Sequence, residues 1–204
     1  VELNLNPAPN ADLYSIIHAA IADPAMARAL MSGRKTQMRV TRASALATCV
    51  VGDNILVREA CIAGRIDAGR RYTTSLKKAE FVIFPDGWRR YRNGSGHQGK
   101  RLADHDYSWT SAKRMPRWAS RMTLVVEWIR TERLQQITPQ DIRAEGAIGV
   151  FGGLYWRWPK PNPGRYLTAH RAFARHWNII HAEQGERWED NPQVAVLEFR
   201  VVRV

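Results

Sequence analysis

Residues 33–39 read Gly33-Arg34-Lys35-Thr36-Gln37-Met38-Arg39, and two kinds of signal meet there. Upstream, Asp23 suits a helix N-cap, Pro24 the first helical position and Gly33 the left-handed residue that follows a helix. Met26, Ala27, Ala29, Leu30 and Met31 offer one apolar face, so a helix is predicted over residues 24–32. Downstream, residues 36–42 suit a strand. Arg34, Lys35 and Arg39 repel one another unless carboxylates or a bound anion sit close by. A helix-to-strand junction of that kind is a candidate site for an anionic or polar ligand. On a regular strand Lys35, Gln37 and Arg39 share one face and Thr36 points to the other.

Working outward, residues 15–20 suit a strand ahead of this helix. Residues 1–12, with Pro7 and Pro9, read as an extended N-terminal arm. Val51-Gly52-Asp53-Asn54 is a turn signal and residues 55–59 a strand leaving it. Residues 80–84 form a short strand stopped by Pro85-Asp86-Gly87. Residues 88–102 hold five Arg or Lys and three Gly, a composition that favours a mobile cationic loop over a core element; solvation is the simpler role for it, a nucleic-acid clamp the sharper one. Met115-Pro116-Arg117-Trp118-Ala119-Ser120-Arg121 is a structured loop before a strand at 122–130. Thr138, Pro139 and Asp141 have capping-box spacing and open a short helix ending near Gly146. Glu145 there faces the negative end of the helix, an unfavourable place that hints at another task. Residues 152–166 read as a second insert, residues 168–183 as the longest helix with Ala172, Phe173, Trp177 and Ile180 inward, and residues 193–202 as a closing strand. Strands interleaved with few helices, without regular alternation, give an α+β class. No linker divides residues 13–204, which read as one domain with insertions at about 88–106 and 152–166.

The chain has 204 residues and an ordinary globular balance, 45% hydrophobic and 25% charged, enough for one domain with a real core. Its net charge of +12 is not ordinary; it favours polyanions such as nucleic acid or nucleotides, and arginine grips phosphate and stacks on bases. Cys49 and Cys61 are too few for a disulfide framework or a zinc site and read as small buried hydrophobes in a reducing compartment. His97, His105, Asp104 and Asp106 cluster without metal spacing, and His170, His176 and His181 are not three or four apart. No metal or other cofactor is expected. No apolar run is long enough for a membrane and no leader pattern opens the sequence, so a cytoplasmic protein is expected.

Residues 25–39, Ala25-Met26-Ala27-Arg28-Ala29-Leu30-Met31-Ser32-Gly33-Arg34-Lys35-Thr36-Gln37-Met38-Arg39, resemble the opening motif of ASCH-domain proteins, in particular those of phages and prophages. Further blocks follow in family order: residues 51–59, the 115–121 loop, Glu132-Arg133-Leu134 continuing to Arg143-Ala144-Glu145-Gly146, and Trp188-Glu189-Asp190-Asn191-Pro192 with the last strand. The resemblance implies a PUA-like fold, a small mixed β-barrel with helices packed outside and a cleft lined by the opening motif. Some small bacterial members deacetylate N4-acetylcytidine with a lysine, a threonine three residues later and a glutamate. Carried over, the lysine is Lys35 and the glutamate Glu145, while Met38 stands where the threonine would be, and a thioether cannot replace an activated hydroxyl.

Two roles follow for the Lys35–Glu145 pair. The first is binding, with RNA, another nucleic acid, or a nucleoside or nucleotide held in a basic cleft by Arg34, Gln37, Arg39 and Arg58, and with Arg117, Trp118 and Arg121 as a wall. Trp118 reads equally as a stacking plate and as a core anchor. The second is hydrolysis, by an amidohydrolase of acylated nucleosides or a nuclease. A phage accessory protein working through protein contacts of the arm and inserts is the third reading.

Overall fold

A computed structural model describes residues 17–65, 75–101, 109–159 and 164–203. The N-terminal arm, Asp104, His105 and Asp106 lie outside the described residues. Chain order is β1 (Ile17–Ala22), α1 (Pro24–Met31), β2 (Gln37–Thr41), β3 (Asn54–Glu59), β4 (Ile62–Gly64), β5 (Phe81–Ile83), β6 (Trp88–Tyr91), β7 (Gly96–Gln98), β8 (Met122–Arg133), α2 (Pro139–Ala144), β9 (Ile148–Val150), β10 (Tyr155–Arg157), α3 (Ala169–Ile180) and β11 (Gln193–Arg203). The class is α+β, built on a curled, half-barrel sheet with few helices. Among the described residues no helix is long and apolar enough to cross a membrane.

The main sheet has the order β1-β3-β8-β11-β2, with β1 parallel to β3 and the other neighbours antiparallel. β8 and β11 are its long central ribbon, with a register shift between Glu198 and Phe199. Alternation sends successive side chains to opposite faces. On one face Met38 and Leu197 join Leu30, Ile55, Val57 and Leu124 in an apolar core beneath α1. The other face carries Gln37 and Arg39 of β2 opposite Glu198 and Val196 of β11, and Val194 and Val196 pack there with Ile142 of α2 and Ala172, Phe173 and Trp177 of α3.

Local chemistry explains the helix ends. The Asp23 carboxylate accepts the amide hydrogens of Ala25 and Met26, both at 2.7 Å. After α1, Gly33 takes φ 71°, the Gly33 amide bonds Leu30 O and the Arg34 amide bonds Ala29 O, the double closure of a Schellman end. At α2, Thr138 and Asp141 exchange bonds across a capping box. That carboxyl is held down at about 2: burial works against ionisation, and the hydrogen bonds from Thr138 and Gln37 with the charge of Arg39 outweigh it.

The cationic stretch 88–102 departs from expectation. Its described part forms β6 and β7, joined to β4 and β5 in a four-stranded antiparallel sheet. Two of its arginines are spent on backbone carbonyls: Arg90 Nε donates to Trp118 O at 3.2 Å, and Arg92 reaches Ala79 O at 3.1 Å and Lys77 O at 3.1 Å. Guanidinium groups thus hold short strands that the apolar pattern is too weak to announce. The 152–166 insert likewise contains the hairpin β9–β10 in part. On α3, Ile180 is 60% exposed rather than inward.

Candidate functional site

The Schellman turn aims Lys35 under α1 toward the end of α2. Its ammonium donates to Glu145 Oε2 at 2.8 Å and to Glu145 O at 3.0 Å. Glu145 caps the C-terminus of α2, where two cations offset the misplaced charge: Lys35 holds one carboxylate oxygen and Arg39 Nη1 the other at 3.2 Å. Arg39 Nη2 continues to Glu132 Oε1 at 2.6 Å and Asp141 Oδ2 at 3.4 Å. Arg130 joins Glu132, Asp141 and Glu198 at 2.8, 2.9 and 2.6 Å. The carboxylates that the crowded cations of the opening motif require are therefore supplied by α2 and the central ribbon.

A cleft of about 280 Å³ opens over the Lys35–Glu145 pair, between α1 and α3. Asp23, Met26, Lys35, Glu145, Trp158 and His176 line it, with Ile21 and Ile180 at its apolar margin. Trp158 and His176 stack with ring centres 3.9 Å apart. Burial, then the nearby Lys35 charge and His181, push the His176 imidazole down to about 3, so it is neutral at pH 7. Two of the three Lys35 hydrogens go to Glu145; the third is available to an acceptor on a ligand.

The lining thus carries one ammonium, two carboxylates and a neutral imidazole, so the basic cleft expected from the sequence gives way to one of mixed charge. Arg39 is enclosed behind Glu145, its side chain 0% exposed and committed to carboxylates. Gln37 is bonded to Asp141 and Glu198. Arg34 flanks the cleft through a bond to Gly146 O at 3.3 Å. Met38 points into the apolar core, away from Glu145. The expected wall is not assembled: Arg58, Arg117, Trp118 and Arg121 do not line this cleft. Arg58 donates to Lys113 O, Arg117 is exposed, and Trp118 packs on the core of the second sheet under Arg92. Arg121 is buried against Glu59 and Asp86. Sequence reasoning missed Asp23, Trp158 and His176 as lining residues; only the spacing of His176 one turn before Ile180 offered a signal.

His176 sets a pH dependence. An unfolded imidazole titrates near pH 6.5, and the folded one only near 3, so between these values the unfolded chain binds a proton that the native chain refuses. The stability associated with His176 is complete above about pH 6.5 and is lost as pH falls toward 3. His176→Phe should flatten the fall in urea midpoint between pH 7 and 4; an unchanged slope would assign the acid lability to other groups.

The chain matches no family model, no curated protein and no solved structure.

Proposed function

We propose that this chain is a binding module of the PUA-like ASCH kind that takes a nucleobase, free or within RNA, into the cleft between α1 and α3. The observation that carries this reading is Lys35, buried at the cleft floor with one hydrogen to offer and Glu145 fixing its position. The curled sheet with outside helices, and an opening motif that reaches the cleft through Lys35, support the family assignment. The volume lies near the small end of ligand pockets, about 300–1,000 Å³, and suits a base or nucleoside. Two carboxylates against one ammonium disfavour phosphate inside the lining, so an uncharged heterocycle with a carbonyl for Lys35 is the fitting ligand. Phosphates of a longer ligand would meet cations outside the cleft, such as Arg28 and Arg34.

Lys35→Met keeps the stem and removes the donor. It should weaken nucleoside binding by about 10- to 100-fold, the value of a hydrogen bond from a charged group, as read by calorimetry over a panel that includes N4-acetylcytidine. Nucleoside binding should change little with salt, whereas RNA binding should fall as salt rises. Equal affinity in wild type and Lys35→Met would remove the cleft from the function.

The Lys35–Glu145 pair at the floor also favours an amidohydrolase, with Lys35 on the carbonyl oxygen and Glu145 directing water. Among the described residues no hydroxyl or thiol lines the cleft, and Met38 lies in the core, so binding stands first. Acetate released from N4-acetylcytidine by wild type and not by Lys35→Met would reverse that order.

A further inference from the structure

Away from the cleft, three elements bring His18, Cys49 and Asp53 together. His18 lies on β1, Cys49 follows the 3-10 turn Ala45–Thr48, and Asp53 ends the turn into β3. One ligand-type atom from each, nitrogen, sulfur and oxygen, lies within 4.8 Å of the other two. His18 Nε2 is 3.5 Å from Asp53 Oδ2, and these side chains are only 10% and 4% exposed; Cys49 is 5% exposed. His18 Nε2 is buried and makes no hydrogen bond. Buried ring nitrogens are ordinarily satisfied, and leaving one without a partner costs about 1–3 kcal/mol. It is aimed at a carboxylate and a thiol, which are metal ligands.

We propose that His18, Cys49 and Asp53 bind one zinc ion. Zinc takes nitrogen, sulfur and oxygen donors at about 2.0–2.3 Å in a tetrahedron, which separates neighbouring ligand atoms by roughly 3.3–3.8 Å. The His18–Asp53 spacing of 3.5 Å already falls in that range, and the 4.8 Å bound leaves the sulfur no more than about 1.5 Å to close. Magnesium and calcium prefer all-oxygen sites and would not choose a thiol and an imidazole. The Val50 amide donates to Asp53 Oδ2 at 2.9 Å, fixing the carboxylate as an outer partner does in metal sites. Ligation replaces the Cys49 S–H bond with a sulfur–metal bond and releases one proton to solvent. A fourth position remains for water. The same trio could be read as a nucleophilic relay, but Cys49 is enclosed and does not line the cleft.

The test is titration of the chelator-stripped full chain with Co²⁺ and then Zn²⁺. Expected are one cobalt per chain, a thiolate-to-cobalt charge-transfer band, displacement by Zn²⁺, and a rise in melting temperature with Zn²⁺. Cys49→Ser should lose the charge-transfer band, and His18→Gln should weaken binding by about tenfold or more. The wild-type chain alone can overturn the proposal, by remaining folded at about 100 µM Zn²⁺ with no one-to-one complex. Retention of the same band and affinity in both variants would overturn it as well, by locating the ion elsewhere.

Discussion

Arg39→Met should cost the fold about 3–5 kcal/mol, the range for breaking a buried ion pair from one side. The Arg39 guanidinium is fully enclosed and faces Glu132, Glu145 and Asp141 at 2.6, 3.2 and 3.4 Å. Methionine fills much of the space but leaves these carboxylates Lys35 and Arg130 as their ion-pair partners among the described residues. Arg39→Lys should recover part of the loss and no more, because a point charge cannot span three acceptors as a planar fork does. Urea unfolding should show a lower midpoint at an unchanged slope. Adding Glu132→Gln to Arg39→Met should return some stability, since one stranded charge is then gone. Amide exchange in α2 should rise first, because Asp141 and Glu145 tie that helix to the sheet. A loss below about 1 kcal/mol would show that the network is solvated like a surface pair.

Arg121→Met should be of similar size, about 3–5 kcal/mol, and should act on a different part of the molecule. Arg121 makes a fork on Glu59 at 2.8 and 2.7 Å, bonds Asp86 at 2.7 Å and lies over the Phe84 ring at 4.2 Å. Burial works against its charge, but Glu59 and Asp86 more than offset this and hold its proton more tightly than usual. It joins the end of β3 to the turn between β5 and β6, so its removal should first loosen the second sheet. Arg121→Lys should not rescue it. Replacing both partners, Arg121→Met with Glu59→Leu, should recover most of the loss, because no buried charge is then left alone. If the single and double variants were equally unstable, packing on Phe84 would be the larger contribution.

Elements with local signals were legible in the sequence. Asp23, Pro24 and Gly33 bounded α1, Thr138 and Asp141 opened α2, and the apolar runs marked β8 and β11 within a few residues. The shared face of Lys35, Gln37 and Arg39 followed from strand alternation alone, and the α+β class from the order of elements. What failed depended on partners distant in sequence. An arginine that binds a phosphate and one that binds a backbone carbonyl look alike, so Arg90 and Arg92 read as loop charges. Arg39 and Arg121 read as ligand groups because Glu132 and Glu59, 93 and 62 residues away, give no local sign of meeting them. Trp158 and His176 come together from separate elements, and nothing in either segment announces the cleft.

The strand order has a consequence for biosynthesis. β1 and β2 are successive strands, joined through α1, yet they occupy opposite edges of the five-stranded sheet, and among the described residues β2 pairs there only with β11. Gln37 and Glu198, which meet across that pair, are 161 residues apart. At about 5–20 residues per second, β2 waits roughly 8–30 s on the ribosome before its partner is made. Throughout that interval Lys35 and Arg39 lack Glu132 and Glu145 for most of the time, and the strand edge is open. Their mutual repulsion is then a safeguard: a cationic, unpaired β2 is a poor template for another nascent chain, and it becomes a good strand only once its carboxylates arrive.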